Sequence, residues 1–390
     1  MNASFDVVIV GGGVTGAAVG YGLAKRGVKT CLVDAVPTFS RASRANMGLI
    51  WCQSKALGCP QFVRWGFASS RAYGKLAAEL KELSGIDTGY APTGGIIPCL
   101  GEAELEARAQ FIEKLRAETE DGTYPASVLS RKELEGMLPK VPFGPEVSGG
   151  IWSDMDGYVD PLHLMFAFRK SFVRLGGTLF AGERVSEVKP SGKGYAVVCG
   201  GRTLECGKAV LAAGLGVRKL AAQLGTDIPV FPNKSQVMLL ERIPADVLPI
   251  PLLGIARTFG GTVMIGAAHE NMGMDRRLTP EVLAANAQWA VRVWPELERK
   301  RILRFWTGLR VWPKDAYPIY DRIPGHENAF VFAMHSAVSL AAILEQALPD
   351  YVMGKPLPPD GAIFGLSRFA GGASGFQGSA ASSPHAEAPN

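Results

Sequence analysis

The sequence of 390 residues lacks the features that mark several large classes of protein. No apolar run approaches the ~18 residues of a membrane-spanning helix, and no cluster of lysine and arginine marks a nucleic-acid-binding surface. The net charge is only +5, and no internal repeat is visible. We therefore expect a protein that neither spans a membrane nor binds nucleic acid. No secretory signal precedes the first predicted strand, which favours a cytoplasmic location.

Cysteine chemistry is also limited. The six cysteines contain no CxxC pair and no spacing typical of an iron–sulfur cluster. We therefore expect buried, reduced thiols and no metal site. A composition of 47% hydrophobic and 20% charged residues is that of a globular enzyme, and the length suffices for two domains.

A glycine-rich turn lies between a predicted strand and a predicted helix. The apolar segment Asp6–Val10 leads through Gly11, Gly13 and Gly16 into a helix predicted over 14–26. The first glycine permits the tight bend, the second lets a pyrophosphate approach the backbone, and the third lets the helix lie against the strand. The helix N-terminus would add N–H groups and a positive dipole. The pattern indicates a dinucleotide-binding site.

The sequence also has a carboxylate at the position expected for a ribose-binding residue. Asp34 ends the second predicted strand, 18 residues beyond Gly16. It can accept hydrogen bonds from both hydroxyls of an adenosine ribose, and it would repel a 2′-phosphate. The polar segment 37–48 comes next. This segment could carry hydroxyl and amide donors back to the diphosphate, or it could be a solvated loop.

The sheet types alternate along the chain. After a helix predicted over 161–175, strands typical of the first sheet resume and close on a turn at Gly214. The segment 229–304 instead carries strands spaced as in an antiparallel sheet, and Thr279 is placed to cap the helix predicted over 280–293. This interruption disfavours a nicotinamide-dependent dehydrogenase, in which the nucleotide fold is usually continuous.

We therefore predict an α/β fold in which a Rossmann-like dinucleotide domain is interleaved with a substrate domain built on an antiparallel sheet. The dinucleotide domain is predicted to comprise residues 1–50, 145–225 and 305–357. The substrate domain is predicted to comprise residues 51–144 and 226–304. The Gly/Ala/Ser-rich tail 371–390 is predicted to be disordered.

Several motifs together carry a family resemblance. In order along the chain they are the glycine turn, Ser43–Gly48, Thr93–Gly95, Val210–Gly214 and Thr307–Ile319. From about residue 5 to 357 the chain resembles the D-amino-acid oxidase-like (DAO) family of FAD-dependent amine oxidoreductases. That family includes glycine and sarcosine oxidases and the flavin subunits of opine and hydroxyproline dehydrogenases.

A narrower resemblance concerns residues 44–55 and 334–340. These segments are similar to the B subunit of opine oxidases and to the β subunit of D-hydroxyproline dehydrogenase. The likeness has two departures, because a glycine and a threonine are expected in place of Ala337 and Ser339.

The resemblance implies FAD as the cofactor. In sarcosine oxidase relatives a cysteine near the start of the Gly308 segment binds the flavin covalently. No cysteine lies between residues 207 and 390 here, so the resemblance implies non-covalent attachment. The turn His335–Leu340 would direct N–H groups at the flavin N1/C2 carbonyl and stabilise negative charge there as a hydride reaches N5. An ordinary strand-to-helix turn is the alternative. The residues expected to contact FAD are Gly11, Gly13, Val14, Thr15, Gly16, Asp34, Ser43, Arg44, Asn46, Gly48, Leu49, Val185, Ala213, Gly214, Gly308, His335, Ser336, Ala337, Val338, Ser339 and Leu340.

The same resemblance implies that Arg310 clamps a substrate carboxylate, a task that suits the guanidinium fork. A structural ion pair of Arg310 with Asp315 or Asp321 is the alternative. Trp51 is expected beside the substrate. His269 or solvent would accept the proton of the substrate ammonium, although a lone histidine at a strand end is often structural.

Two hypotheses about function follow. The first is FAD-dependent oxidation of the C–N bond of an amino acid, imino acid or opine to an imine, which then hydrolyses to a 2-oxo acid and an amine or remains in a ring. The second is a flavin subunit that relays electrons and depends on companion redox subunits. Lys55 or Lys234 could place positive charge at the flavin edge, or either could lie on the surface.

Overall fold

A computed structural model of the chain describes residues 3–35, 42–266 and 268–372. Of the tail predicted to be disordered, residues 373–390 lie outside the described residues. The same holds for residues 36–41, where the polar segment after Asp34 begins.

The strands are numbered in chain order. They are β1 (Ala3–Val10), β2 (Thr30–Asp34), β3 (Leu49–Ile50), β4 (Gly95–Leu100), β5 (Ser127–Ser130), β6 (Val147–Ser153), β7 (Gly157–Tyr158), β8 (Thr178–Ala181), β9 (Val185–Ser191), β10 (Gly194–Cys199), β11 (Arg202–Leu211), β12 (Val230–Arg242), β13 (Ile255–Arg257), β14 (Thr262–Gly266), β15 (Ile302–Pro313), β16 (Ile319–Ile323) and β17 (His326–Ala333).

The α-helices are numbered in the same way. They are α1 (Val14–Lys25), α2 (Ala42–Ala45), α3 (Pro60–Ser84), α4 (Glu102–Ala117), α5 (Arg131–Met137), α6 (Pro161–Arg174), α7 (Val217–Ala222), α8 (Pro280–Val293), α9 (Ala341–Val352) and α10 (Pro359–Ala362). Short 3₁₀ helices cover Gly214–Gly216, Pro295–Arg299 and Leu366–Gly372.

The largest sheet has a parallel centre. Its strand order is β16-β17-β11-β1-β2-β8, and the hairpin β9–β10 adds to it antiparallel beside β11. The strands β17, β11, β1, β2 and β8 run parallel to one another, whereas β16 pairs antiparallel with β17. They come from separated stretches of the chain, so the parallel sheet is assembled discontinuously. The predicted α/β fold class is confirmed.

The other sheets are antiparallel. One has the order β13-β14-β12-β15, and a second has the order β4-β6-β5. A bridge between Ile96 and Leu252 joins the two. The pairing of β12 with β15 extends from Val230 opposite Pro313 to Leu240 opposite Ile302. This long ribbon forms the part of the structure that faces the candidate site.

The domain boundaries proposed from the sequence remain predictions. All of β6 and all of β15 pair within the antiparallel sheets. The predicted domain boundaries instead assigned β6 and most of β15 to the dinucleotide domain, as parts of residues 145–225 and 305–357. Strand pairing therefore favours crossovers near residues 153 and 313, a few residues later than expected.

Side chains cap two of the described helices, α5 and α6. Asp160 caps α6 by accepting hydrogen bonds from the N–H groups of Leu162 and His163. Thr279 stands at the N-cap position of α8, as predicted, but its side chain does not cap the helix. Its hydroxyl donates to Glu270 Oε2 at 2.7 Å and accepts from Lys234 Nζ at 2.7 Å, and it makes no capping bond. A buried ion pair between Lys234 and Glu270 takes up this hydroxyl instead.

The expectations about the cysteines and about membrane-spanning helices can be compared with the described residues. All six cysteines are buried and free of disulfide bonds, as expected. Within the described ranges, no helix combines the length and apolar character needed to cross a bilayer.

Helix α1 is buried on nearly every side. Small residues make this possible, because other helices approach its backbone closely. At Gly22, an added Cβ would lie 2.1 Å from Glu345 O and 2.5 Å from Pro349 Cγ, both on α9. The contact fixes α9, which follows the turn His335–Leu340, against the helix that begins at the glycine turn.

We predict that Gly22→Ala lowers the free energy of unfolding by about 1–3 kcal/mol, because the new methyl group overpacks the contact between α1 and α9. Chemical denaturation measures the change. Gly136→Ala is the matched control, since Gly136 lies in α5 and an added Cβ meets nothing within 4 Å. There we expect no loss, or a gain of up to about 1 kcal/mol. Equal effects at the two positions would contradict the packing argument.

Candidate FAD and substrate site

A cavity of about 810 Å³ is lined by residues from both groups of sheets. It brings together most of the residues singled out from the sequence. Those that line it are Gly11, Gly13, Val14, Thr15, Asp34, Ser43, Asn46, Leu49, Trp51, Val185, Ala213, Gly214, His269, Gly308, Arg310, His335, Ser336, Ala337, Val338 and Ser339. Gly16, Arg44, Gly48 and Leu340 are not among the lining residues.

The glycine turn forms one part of the cavity wall. Gly11 has a φ of +106°, and a Cβ there would lie 2.4 Å from Ala212 O. Gly16 lies behind the turn, where a Cβ would be 1.8 Å from Gly11 O. Gly16 therefore brings α1 close to β1, as the pattern predicts, without facing the cavity. Each of the two positions has room only for glycine.

The N-terminus of α1 fits a phosphate group. Gly13 is the N-cap and offers no side chain to cap the helix, and Gly13, Val14 and Thr15 line the cavity. The N–H of Val14 donates to Ser43 Oγ at 3.1 Å. The first turn of a helix has N–H groups that need acceptors from outside the helix. A pyrophosphate supplies such acceptors, so these residues suit the diphosphate of FAD.

Asp34 is held by a residue that the sequence did not single out. Its Oδ2 accepts the N–H of Gly12 at 3.0 Å and also forms a buried ion pair with Arg169 of α6. Arg169 Nε donates to Gly12 O at 2.9 Å. The guanidinium thus links the carboxylate to the glycine turn and sets the direction in which Asp34 enters the cavity.

The segment after β2 has mixed roles. Ser43, Asn46 and Leu49 line the cavity. The Asn46 side chain is engaged locally, since Nδ2 donates to Ser43 O at 2.7 Å and Oδ1 accepts from the N–H of Gly48 at 2.8 Å. Gly48 has a φ of +75°, and a Cβ there would be 2.1 Å from Val159 O. Gly48 therefore permits a close chain crossing beside the cavity.

Gly308 allows two elements to meet at the cavity. A Cβ at Gly308 would lie 2.3 Å from the Cβ of Ala45, which ends α2. Trp306 Nε1 donates to Ala45 O at 3.3 Å. This approach places β15 against α2. Val185, at the start of β9, and Ala213 and Gly214, after β11, line the cavity as well.

The turn between β17 and α9 is held from outside the cavity. Ser339 Oγ accepts the N–H of Trp51 at 3.0 Å. Ser69 and Tyr73 of α3 donate their hydroxyl groups to Ser339 O and Val338 O, both at 2.8 Å. Leu340 caps α9, and its N–H donates to Ser336 O. These bonds fix the turn while residues 335–339 face the cavity.

Arg310 has neutral polar partners. It donates through Nη1 to Asn233 Oδ1 at 2.9 Å and Ala268 O at 2.7 Å, and through Nη2 to Ser235 Oγ at 2.8 Å. Within the described part of the chain it has no carboxylate partner, and its Nε–H and one Nη2 hydrogen are not used by the protein. Burial lowers its pKa to about 10.

The ion pair considered as an alternative for Arg310 is not formed. Asp315 pairs with Arg368, with Nε to Oδ2 at 2.8 Å. Asp321 accepts the N–H of Leu366 at 2.6 Å and that of Arg322 at 2.7 Å. Both carboxylates therefore serve the region around the 3₁₀ helix Leu366–Gly372, and Arg310 is left facing the cavity.

Two histidines flank Trp312. Its ring centroid lies 5.1 Å from that of His269 and 4.6 Å from that of His335. His269 Nδ1 lies 2.9 Å from Asn233 Oδ1 and 3.2 Å from Arg310 Nη1. Burial, and then the charge of Arg310, lower the pKa of His269 to about 3. The pKa of His335 is well below its usual value for the same two reasons, with Lys55 and His269 contributing further. Both rings are therefore neutral near pH 7.

The two lysines considered from the sequence have different environments. Lys234 does not line the cavity and is 1% exposed. Its Nζ lies 3.1 Å from Glu270 Oε2. Lys55 does line the cavity, and its Nζ donates to Trp51 O at 2.9 Å. Of the pair, Lys55 alone lies where it can act on a ligand.

Sequence reasoning missed Arg169, Asn233 and Ser235. Arg169 had one signal, because it directly follows the apolar run Met165–Phe168 in a helix that returns to the parallel sheet. Asn233 and Ser235 had none, since their role depends on the register that places Asn233 opposite Arg310 in the ribbon of β12 and β15. That pairing joins residues 77 positions apart.

The glycine turn and Arg310, which has no carboxylate partner among the described residues, face the same cavity, an arrangement that suits an oxidoreductase with a dinucleotide cofactor. The chain belongs to the FAD-dependent oxidoreductase (DAO) family, whose family model matches residues 6–344. FAD is therefore its cofactor, as expected from the sequence. Non-covalent attachment remains a prediction, which is supported by the absence of cysteine among the described residues that line the cavity.

Similar proteins span nearly the whole chain. The B subunit of opine oxidase from Agrobacterium tumefaciens (strain Ach5) is 33% identical over 365 residues, which cover 93% of this chain and 97% of that protein. The hydrogen cyanide synthase subunit HcnC of Pseudomonas aeruginosa is 28% identical, with coverage of 95% and 97%. The crystal structure of glycine oxidase from Geobacillus kaustophilus has a TM-score of 0.86 at 27% identity, covering 94% of this chain and 99% of that one.

We predict that Arg169→Met weakens FAD binding at least tenfold and lowers the stability of the protein, because Asp34 loses its buried cation. Removing one partner of a buried ion pair typically costs about 3–5 kcal/mol. Fluorescence titration of the apoprotein with FAD measures the first effect, and thermal unfolding measures the second. Arg292→Met is the control, because its pair with Glu146 is half exposed and should contribute less than about 1 kcal/mol. Unchanged FAD binding in Arg169→Met would contradict the role of this pair.

Proposed function

We propose that the protein oxidises the C–N bond of an amino acid, imino acid or opine to an imine. The imine then hydrolyses to a 2-oxo acid and an amine, or remains in a ring. Bound FAD supplies the electron sink that accepts the hydride from the carbon next to the nitrogen. The protein contributes binding, orientation and charge, so no side chain is needed as a nucleophile.

The observation that carries this proposal is the Arg310 guanidinium. An arginine enclosed by protein normally pairs with a carboxylate, because an unpaired charge is costly away from water. Arg310 has only neutral partners among the described residues, and two of its N–H groups remain available. A carboxylate of the substrate would complete this set with charge-assisted hydrogen bonds.

We propose further that Asn233, Ser235 and His269 position Arg310. Asn233 Oδ1 and Ser235 Oγ accept from different nitrogens of the guanidinium, so they fix its plane. His269, with a pKa of about 3, is too weak a base to take the proton of a substrate ammonium efficiently. Solvent then becomes the proton acceptor, or the substrate binds as the neutral amine.

The turn His335–Leu340 would complete the reactive end. Its main chain is held by Ser69 and Tyr73, so its N–H groups would not need to reorganise when negative charge develops on the flavin. The neutral His335 ring keeps additional charge away from this turn. Apolar side chains that line the same cavity, such as Phe332 and Met334, help to exclude water.

We predict that Arg310→Met retains FAD but raises the substrate dissociation constant at least thirtyfold. This equals a loss of about 2 kcal/mol, the usual contribution of hydrogen bonds between charged groups. The measurement is the concentration dependence of flavin bleaching when amino acids, cyclic imino acids and opines are mixed anaerobically with the enzyme. Arg304→Met is the matched control, because Arg304 lies on the same strand but is exposed and does not line the cavity. Unchanged affinity in Arg310→Met would exclude the clamp.

For His269 we predict that replacement by Asn lowers kcat/KM less than tenfold and leaves the shape of its pH profile between pH 6 and 9 unchanged. The pH profile should keep its shape because His269, whose pKa is lowered to about 3, is neutral throughout this range and releases no proton in it. Steady-state kinetics across the range tests this. Loss of an acidic limb in the variant would restore His269 as the general base.

A second candidate function is electron relay within a larger assembly. It is favoured by the similarity to proteins whose names identify them as subunits. In that case the purified chain would bind FAD but would not be reduced by amines until companion subunits carrying further redox centres were added. Anaerobic bleaching by the chain alone excludes this alternative.

A further inference from the structure

The charged residues that line the cavity are unevenly distributed. Among the described residues, the lining carboxylates are Asp34 and Glu183, and both are paired, with Arg169 and Arg202 respectively. The charged residues that the loop after β3, helix α4, the loop before α8 and strand β15 contribute to the wall are all cations. These cations are Lys55, Arg108, Arg276 and Arg310.

Arg108 is paired with Glu104, and Arg310 has the role proposed above. Lys55 and Arg276 have neither an assigned role nor a carboxylate partner in the described ranges, but Arg276 is exposed to solvent whereas Lys55 is partly buried.

The Nζ of Lys55 donates to Trp51 O at 2.9 Å, which satisfies one of its three N–H groups. The charge of Asp156 acts on Lys55 from a distance. The Asp156 oxygens are engaged elsewhere, by the N–H of Cys52 at 2.5 Å and by Gln53 Nε2 at 2.7 Å. The ammonium group is therefore held by a single neutral oxygen.

Lys55 and Arg310 both line the cavity near the turn before α9. Lys55 donates to Trp51 O, and the N–H of Trp51 donates to Ser339 Oγ in that turn. Arg310 contacts His269, and Trp312 packs between that ring and His335. The two cations come from different parts of the fold, because Lys55 follows β3 and Arg310 lies within β15. Burial lowers the pKa of Lys55, with Cys52 and Asp156 opposing the shift. An anionic ligand near this ammonium would favour its charged form.

Two partly buried cations, each without a carboxylate partner among the described residues, therefore face one cavity. Such an arrangement is costly unless a ligand brings compensating charge. A substrate with a single carboxylate would pair with Arg310 and leave Lys55 without a carboxylate partner. A substrate with two carboxylates would pair with both side chains.

We propose that Lys55 binds a second carboxylate and thereby favours opines, which are secondary amines bearing two carboxylates, over the other substrate classes of the proposed function. This inference rests on the proposed function, in which Arg310 binds the first carboxylate. The nitrogen of such a substrate lies between its two carboxylates. Anchoring both ends would hold the C–N bond between Arg310 and Lys55.

The test compares two ligands that carry sulfur in place of the amine nitrogen and so cannot be oxidised at a C–N bond. Thiodiacetate has two carboxylates, and (methylthio)acetate has one. Each is titrated into the FAD-loaded protein at pH 7.5, and the dissociation constant is read from the change in the flavin absorbance spectrum. The variants are Lys55→Met, which keeps most of the side-chain volume, and Lys55→Arg, which keeps the charge. Lys75→Met, at an exposed site on α3, is the control.

We expect the wild type and Lys75→Met to bind thiodiacetate at least tenfold more tightly than (methylthio)acetate, the factor typical of one added charge-assisted hydrogen bond. In Lys55→Met this preference should fall to about twofold while the affinity for (methylthio)acetate stays within threefold. Lys55→Arg should keep part of the preference.

The proposal is overturned if the wild type has no preference, or if Lys55→Met weakens both ligands equally or neither of them. In these cases the binding of (methylthio)acetate through Arg310 still stands, so the proposed function survives. If neither ligand binds the wild type while FAD is present, the carboxylate site itself is absent. The proposed function and the second subsite then fail together.

Discussion

The contact between Gly16 and Gly11 positions the N-terminus of α1, where we propose that the FAD diphosphate binds. There is no room for a side chain at either position, so α1 lies directly against the end of β1 and its N-terminus opens into the cavity. Two further contacts position other elements around the glycine turn and α1. Arg169 joins Asp34 to Gly12, and α9 crosses α1 at Gly22, which brings the turn His335–Leu340 to the same cavity.

The opposite wall is set by the antiparallel ribbon of β12 and β15. Its register puts Asn233 opposite Arg310, and the polar groups of β12 hold the guanidinium without neutralising it. Neutral histidines on either side of Trp312 add no charge of their own. The cavity therefore combines the N–H groups of the α1 N-terminus, where we propose the diphosphate, with cations that lack a carboxylate partner in the described ranges, where we propose the substrate. This distribution suits an anionic cofactor and an anionic amine substrate.

The sequence predicted those parts of the fold and site that depend on local patterns or on motif order. The glycine turn, the discontinuous sheet and the position of Arg310 belong to this group. Features that depend on distant pairing were missed, because nothing near Asp34 indicates that Arg169, 135 residues away, will neutralise it. Thr279 had the expected residue type for a cap, yet the buried pair of Lys234 and Glu270 took its hydroxyl. The antiparallel strands also extend past the predicted domain boundaries, since hydrophobic spacing does not record which sheet a strand joins.

The central claim is that one cavity holds FAD on the glycine turn and a substrate carboxylate on Arg310. The most direct measurement is a crystal structure of the FAD-loaded protein with (methylthio)acetate. The account predicts the diphosphate at the N-terminus of α1, the flavin beside the turn His335–Leu340, and the ligand carboxylate within hydrogen-bonding distance of the Arg310 guanidinium. A carboxylate bound elsewhere, with Arg310 contacting only protein, would contradict it.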